Sequence, residues 1–323
     1  MTMSRRTFLA SALAIALPAT VAAQPPKGPP RIGWISTEPE PDPFLEGFRE
    51  GLRERGYIEG RNVVLERRYA SGRLDVLRLA VTELIGMGVA FIVSSGPAIR
   101  AIRSAENVTV LFAISGDPVE LGIAGSLARP GRNFTGMTFL SLEIAGKRVD
   151  LLKQAVPSLR TLAVLSNTDH PGERSERRAT EAAAQALGIT TAYVPFMGLG
   201  ELDDALGAVR QARPDAMIVF PEGATMVNRA KIASFAIAHR LPTMFGWSEY
   251  CDAGGLMCYG ANQRETYARL ADYADRLLRG AKPGDLPIEQ PRRFELVLNA
   301  GTARLLGITV PRSVMAIASR VIE

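Results

Sequence analysis

The sequence is poor in the residues that most often carry catalysis or bind metal ions. Its 323 residues include two histidines and two cysteines. His170 and His239 lie far apart along the chain and lack the spacing of metal ligands, so we expect no metal site. The segment DAGGLM separates Cys251 from Cys258, so they do not form the C-x-x-C motif of a redox protein, and we expect no cofactor.

The signature motifs of several enzyme classes are also missing. GWSEY has Tyr250 where a G-x-S-x-G nucleophile elbow needs its second glycine. SLEIAGK lacks the earlier glycine of a phosphate-binding loop, and no G-x-G-x-x-G follows a strand. A hydrolase that uses carboxylates alone, from Asp117, Glu222 and Glu249, stays open as an alternative. We expect a protein that is not an enzyme.

Neither the charge nor the hydrophobic runs of the chain are extreme. The formal net charge is +5, and it falls to about +3 if a leader that contains Arg5 and Arg6 is removed. Basic residues are scattered, as in RRYASGR and RSERR, so a nucleic-acid partner is not expected. After the leader, no apolar run is long enough to cross a bilayer.

Residues 1–23 have the pattern of an export signal. SRRTFL, residues 4–9, matches the twin-arginine pattern, and LASALAIALPATV is a short apolar stretch. Val21-Ala22-Ala23 supplies the small residues that a signal peptidase requires, and no cysteine follows them for lipid attachment. The sequence therefore predicts a soluble periplasmic protein, exported by either the twin-arginine or the general secretory route. In that compartment Cys251 and Cys258 could form a disulfide or stay as two buried thiols, and the spacing leaves both open.

Short apolar runs separated by helical stretches predict a parallel sheet covered by helices. The runs form two sets of four: residues 31–36, 62–69, 89–96 and 108–115, and then 161–167, 189–196, 215–223 and 241–248. Each run of the second set follows its counterpart by about 130 residues, which indicates an internal repeat. Gly56 and Gly188 mark equivalent helix ends. The predicted fold class is α/β, with two similar doubly wound parallel-sheet lobes.

Three segments have the composition of crossings between these lobes. They are LARPGRNFTGMTFLS, AGGLMCYGAN and LPIEQPRRFELVLN. Three such crossings predict a two-lobed clamp with a three-segment hinge. The expected first lobe comprises residues 31–137 plus about 262–285, and the second comprises 138–261 plus about 286–323.

Ligands of open parallel sheets bind beyond the carboxyl ends of the strands. Ser95-Gly96-Pro97 and Asp117-Pro118 have the pattern of helix starts, with Asp117 predicted as an N-cap. Helix N-termini at the cleft favour an anionic ligand group. The candidate ligand-binding residues are Ser36, Ser95, Gly96, Ser115, Asp117, Asn167, Thr168, Glu222, Trp247, Glu249 and Tyr259.

Within this set, the acids and the aromatic residues have distinct expected roles. Glu222 and Glu249 are candidates to pair with an ammonium group, with solvent-exposed positions at the rim of the cleft as the alternative. Trp247 and Tyr259 are candidates to stack on a ring or an apolar side chain. Trp34 lies inside the first predicted strand, so a core position is expected for it.

Three long segments resemble the periplasmic substrate-binding proteins of ABC transporters of the tryptophan/tyrosine type, which have a type I periplasmic binding protein-like fold. They are GDPVELGIAGSLARPGRNFTGMT, IAHRLPTMFGWSEYCDAGGLMCYGAN and LRGAKPGDLPIEQPRRFELVLNAGTARLLGITVP. The resemblance implies a clamp that captures a small molecule and presents it to a permease with its ATPase, but it does not fix the ligand. We expect a monomer whose ligand is an amino acid, an aromatic acid or a related small organic molecule. A ligand-sensing domain for a membrane receptor is the alternative with the same fold. Ser248 stands where similar proteins often carry a basic residue, which argues against an arginine clamp here.

Overall fold

The computed structural model describes residues 28–37, 39–70, 73–139 and 141–323, so the predicted export signal at 1–23 lies outside the described residues. These residues form two α/β lobes, each built around its own sheet. In the ranges above, no helix is long and apolar enough to cross a membrane.

The first lobe is built on a five-stranded sheet in the order β2-β1-β3-β4-β5, in which every neighbouring pair is parallel. A 3-10 turn, Gly96–Ala98, joins β3 to α3. The elements are β1 (Arg31–Ser36), α1 (Pro43–Glu54), β2 (Val64–Tyr69), α2 (Leu74–Gly86), β3 (Phe91–Ser95), α3 (Ile99–Ile102), β4 (Val110–Ile114) and β5 (Phe134–Thr138).

The second lobe is built on a seven-stranded sheet in the order β12-β11-β10-β9-β8-β6-β7. Its first elements are α4 (Ser141–Ala155), β6 (Thr161–Asn167), α5 (Glu173–Ala186), β7 (Thr190–Phe196), α6 (Leu202–Ala212), β8 (Ala216–Val219), α7 (Gly223–Val227), α8 (Arg229–Ala238), β9 (Thr243–Phe245), α9 (Ser248–Asp252) and β10 (Met257–Gly260). After α10 (Gln263–Leu278), the chain adds β11 (Glu295–Asn299), α11 (Ala300–Leu306), α12 (Arg312–Ala316) and β12 (Arg320–Ile322). The pair β10 and β11 is antiparallel, and the remaining pairs are parallel.

The internal repeat is confirmed by the strand order. Strands β2-β1-β3-β4-β5 of the first sheet correspond one for one to β7-β6-β8-β9-β10 of the second. The equivalent helices α1 and α5 both end just before a left-handed glycine, Gly56 at φ 82° and Gly188 at φ 67°. Residues with a side chain are disfavoured in this conformation, which explains why glycine ends both helices.

All three predicted crossing segments contribute strands to a sheet, the third of them through β11 at the end of LPIEQPRRFELVLN. NFTGMTF contains β5, an edge strand of the first sheet, and AGGLMCYGAN contains β10 of the second. The changes of lobe occur just after these strands, between β5 and α4 and between β10 and α10, and again before β11. Both strands add a parallel neighbour to the edge of the four-stranded pattern, which satisfies backbone groups that would otherwise stay unpaired there.

Helix α10 returns from the second lobe and packs against α1 of the first. A Cβ atom at Gly51 would lie 2.6 Å from the Ala268 carbonyl oxygen, so glycine permits the close approach of the two helices. The Tyr57 hydroxyl donates to the Asp275 carboxylate at 2.8 Å, and Arg55 pairs with Asp272. The middle and the C-terminal half of α10 therefore pack against the first lobe.

Cys251 and Cys258 form a disulfide, the possibility that the sequence left open. The disulfide joins α9 to β10 in the second lobe, with a Cα–Cα distance of 6.1 Å. The turn through Gly254 and Gly255 brings the two cysteines within the range that a disulfide spans, whereas an extended segment would hold them too far apart.

Candidate functional site

The carboxyl ends of the two sheets face each other across a narrow cleft between the lobes. A cavity of about 10 Å³ remains there, which is room for about one water molecule. Its walls come from both lobes: Thr37, Pro97, Asn167, Asp169, Gly198, Leu199 and Ala224. The lobes are therefore in contact, and the clamp is closed in this structure.

Backbone contacts and one arginine hold the lobes together on one side of the cleft. Nη2 of Arg100, on α3, lies 3.4 Å from the Thr168 carbonyl oxygen, and Nη1 lies 3.7 Å from an Asp169 carboxylate oxygen. Gly116 and Gly172 meet backbone to backbone, since a Cβ at Gly172 would lie 2.9 Å from the Gly116 Cα. Side chains at these two glycines would collide in the closed arrangement.

An aromatic cluster, Phe44, Phe139, Trp247 and Tyr267, spans both lobes next to this cleft. The ring centroids of Phe44 and Trp247 are 5.6 Å apart with an edge-to-face arrangement, and those of Phe139 and Trp247 are 5.7 Å apart. Phe44 stacks on Tyr267 at 5.2 Å. Trp247 follows β9 of the second lobe, Phe44 follows β1 of the first, and Tyr267 belongs to α10. This cluster is an apolar surface on which an aromatic ring can pack.

Buried hydrogen bonds fix the first-lobe part of the cluster. The Asp42 carboxylate caps α1 by accepting from the Phe44 backbone N–H at 2.9 Å, and it accepts from Nε1 of Trp34 at the same distance. Burial raises the pKa of Asp42, which also bonds the Ser36 hydroxyl. The Ser95 and Tyr267 hydroxyls are 2.6 Å apart. Trp34 is fully buried, as the sequence predicted.

On the second lobe, Asn167 and Glu222 form one buried network. Glu222 accepts from the Ala224 and Thr225 backbone N–H groups at 2.9 and 2.8 Å, which caps α7. Asn167 donates from Nδ2 to Glu222 at 3.3 Å and accepts from the Asp169 backbone N–H at 3.0 Å. Burial raises the pKa of Glu222, although these donors oppose the rise. Glu222 is therefore a buried capping residue, and the alternative of a solvent-exposed rim position was wrong for it.

The prediction that Asp117 caps a helix was wrong. The residues after it form hydrogen-bonded turns, and the Asp117 carboxylate accepts from the Val119 backbone N–H at 2.7 Å. Gly122, at φ 70°, ends these turns before a helix can extend. Pro97 does stand in the first turn after β3, but the Ser95 hydroxyl makes no bond to a backbone N–H there. The helix start predicted at Ser95-Gly96-Pro97 is confirmed, since the turn Gly96–Ala98 continues into α3, whereas the one predicted at Asp117-Pro118 was wrong.

The remaining candidates are distributed over different surroundings. Ser115 and Asp117 line a cavity of about 40 Å³ whose walls also include Leu142 and Glu143 of α4. Gly96 is the left-handed residue of the turn after β3. Thr168 bonds the Phe196 carbonyl oxygen. Tyr259 packs its ring against Phe294 at 6.1 Å, on a part of the second lobe away from these cavities.

Glu249 lies elsewhere, on a cavity of about 160 Å³ between α1, α9 and the start of α10. Burial raises the pKa of Glu249. The same cavity is lined by Gln263, which the sequence did not single out. Phe44, Phe139 and Tyr267 were also missed, although DPFLEGF places Phe44 in the connection that follows the first predicted strand.

A buried charge cluster, Arg148, Glu176 and His170, supports the loop between β6 and α5. Nη1 of Arg148 donates to Glu176 at 2.6 Å, and Nε donates to the Tyr259 carbonyl oxygen at 2.8 Å. His170 Nδ1 accepts from the Gly172 backbone N–H at 3.4 Å, so Nε2 carries the proton that faces Glu176 at 2.9 Å. The cluster thus anchors the loop that carries the contact with Gly116.

Comparisons with known proteins agree with this architecture. The profile of the family described as ABC transporter substrate binding protein matches residues 35–322. A tyrosine-binding protein of Clostridioides difficile (strain R20291) is 20% identical over 278 residues, which cover 85% of this chain and 79% of the relative. The family match confirms the prediction of a substrate-binding protein and not an enzyme.

Two solved structures show the same fold. The ABC domain in complex with L-Trp from Streptococcus pneumoniae has a TM-score of 0.83 at 23% identity, covering 91% of this chain and 100% of that one. The ligand-free, open structure of a substrate binding protein with adhesive properties from Clostridium difficile has a TM-score of 0.62 at 19% identity, covering 91% and 99%. The type I periplasmic binding protein-like fold that the sequence predicted is confirmed.

Proposed function

Because this chain belongs to the family of ABC transporter substrate-binding proteins, we propose that it captures a small organic ligand with an aromatic ring between its lobes. The ligand is an aromatic amino acid or a related compound, and the protein delivers it to a permease with its ATPase. The aromatic cluster carries this proposal, since it brings rings from both lobes to the sheet edges where ligands of this fold class bind.

The names of the relatives support an aromatic ligand. One relative is described as tyrosine-binding, and one solved structure holds L-Trp. The higher TM-score with the L-Trp complex than with the ligand-free, open structure accords with the contact between the lobes here.

Binding proceeds through opening and closing of the two lobes. The 10 Å³ cavity cannot hold an aromatic molecule, so the ligand enters an open form and packs against one lobe first. Closure follows because the closed form adds contacts with the ligand that the open form cannot make. The Arg100 contacts and the meeting of Gly116 with Gly172 form only in the closed state.

The export and the division of the chain are part of this proposal. Residues 1–23 would direct the protein to the periplasm. The exported protein would be a monomer. The lobes would comprise 31–137 with about 262–285, and 138–261 with about 286–323. The packing of α10 against α1 supports this assignment of the helix to the first lobe.

Replacing Trp247 by alanine tests the proposed site. Titration calorimetry with L-tryptophan and L-tyrosine should show a loss of affinity of about 30-fold or more for whichever binds, because truncation removes the second-lobe ring. Trp247→Phe should retain most of the affinity. The control, Phe235→Ala, truncates an aromatic ring of the same lobe that packs on His239.

Unchanged affinity in Trp247→Ala would remove the aromatic cluster from the ligand site. Failure of the wild-type protein to bind L-tryptophan, L-tyrosine or the corresponding aromatic acids would contradict the proposed ligand class.

A further inference from the structure

A further cavity lies between the lobes, with Phe44 among its lining residues. It has a volume of about 160 Å³ and is enclosed by α1 of the first lobe, by Met226 and Glu249 of the second, and by Gln263 at the start of α10. Phe44 forms part of its wall and also contacts Trp247. The cavity therefore adjoins the aromatic cluster directly.

Polar atoms without partners line this cavity. Gln263 is 3% exposed, and neither its Oε1 nor its Nε2 has a hydrogen-bond partner among the described residues. Oε2 of Glu249 is also buried and has no hydrogen-bond partner among the described residues. Buried polar side-chain atoms are nearly always paired, because leaving one unpaired costs its full desolvation. Two such side chains on one cavity indicate a ligand that pairs with both.

The charges around the cavity favour a cation. Glu50 is paired with Arg264, whose Nε donates to it at 2.6 Å, and Glu46 is paired with Arg49 at 2.7 Å. Among the described residues, Glu249 is the acid of the cavity lining without an ion pair, and Arg229 and Arg320 act on its charge only at longer range. Its oxygen and Gln263 Oε1 are both acceptors, which suits a group with several N–H donors.

Glu222, the other acid considered as an ammonium partner, is in a different situation. Both of its carboxylate oxygens accept from backbone N–H groups of α7, and Asn167 donates to one of them. A ligand would have to displace bonds that hold the helix end. A ligand that bonds Oε2 of Glu249 would displace no hydrogen bond of the described residues.

We propose that this cavity binds the ammonium group of the ligand, with Glu249 Oε2 and Gln263 Oε1 as its hydrogen-bond acceptors. The inference rests on the proposed function and narrows it: the ligand is an aromatic molecule that carries a primary amine, such as an aromatic amino acid, and not a plain aromatic acid. Phe44 joins the two subsites, because its ring contacts both the cavity and the aromatic cluster.

Paired titrations test the proposal. L-Tryptophan and L-tyrosine are compared with indole-3-propionate and 3-(4-hydroxyphenyl)propionate, which lack the amine. Glu249→Gln should weaken binding of the amino acid by about 10- to 100-fold because it removes the negative charge that pairs with the ammonium group. Gln263→Leu should have an effect of the same size because it removes a hydrogen-bond acceptor, and each variant should change binding of the des-amino acid less than about 3-fold. Glu265→Gln, an acid of the same helix outside this cavity, is the matched control.

The outcomes separate this inference from the proposed function. If the des-amino acids bind as tightly as the amino acids, or if Glu249→Gln affects both equally, the ammonium site is overturned while aromatic binding stands. If none of these four compounds binds, the proposed function fails, and crystals soaked with tyramine still decide the cavity. An amine nitrogen within hydrogen-bond distance of Glu249 and Gln263 supports the site, and its absence from the cavity overturns it.

Discussion

Replacing Glu176 by glutamine is expected to lower the free energy of unfolding by about 3 to 5 kcal/mol. Glu176 is completely buried between the Arg148 guanidinium and His170. Its neutral replacement leaves the Arg148 charge inside the second lobe without a counter-charge, at 2% exposure. Urea denaturation followed by circular dichroism measures the change, provided that the slope of the transition is unaltered.

Glu181→Gln is the matched control for this prediction. Glu181 lies on the same helix and pairs with Arg177 at 3.1 Å, but both side chains are about 30% exposed. Water screens such a surface pair, so we expect a loss of about 0.5 kcal/mol or less. Equal losses in the two variants would show that the buried cluster does not stabilise the fold. Adding Arg148→Met to Glu176→Gln should recover stability, since it removes the unpaired charge.

Replacing Gly172 by valine is expected to weaken ligand binding by about 100-fold or more without comparable loss of stability. Gly172 has φ −96°, a conformation open to residues with a side chain, so the second lobe by itself accommodates valine. A Cβ there would lie 2.9 Å from the Gly116 Cα in the closed clamp. The valine side chain would therefore hold the lobes apart and make the closed state costly.

Two measurements check this effect on closure. Calorimetry gives the affinity, and small-angle X-ray scattering shows whether the radius of gyration decreases when ligand is added, as it should only in the wild type. Gly207→Val is the control, because a Cβ at Gly207 would have no atom within 4 Å. Wild-type affinity and compaction in Gly172→Val would mean that the ligand-bound clamp closes differently from the arrangement seen here.

The strands were predictable because their signal is local. Each of the eight apolar runs contains a strand, and the repeat of runs and glycine-ended helices anticipated the shared strand order of the two sheets. The positions of Ser95, Asn167, Glu222 and Trp247 at strand ends followed from the same pattern. The sequence did not predict the role of each of these side chains, because that role depends on contacts with residues far along the chain.

The sequence by itself determined the repeated α/β pattern, the sheet edge at which we expect a ligand to bind, and the lack of metal-ligand and catalytic motifs. The tertiary structure decided which polar residues there are already paired. Glu222 and Glu249 follow the ends of two neighbouring strands, β8 and β9. Backbone N–H groups of α7 donate to both carboxylate oxygens of Glu222, whereas Oε2 of Glu249 has no hydrogen-bond partner among the described residues. Gln263 lines the cavity beside Glu249 only because α10 packs against α1. Periodicity reports burial along one element, whereas hydrogen-bond partners and close contacts, such as Gly116 with Gly172, arise only when distant segments meet.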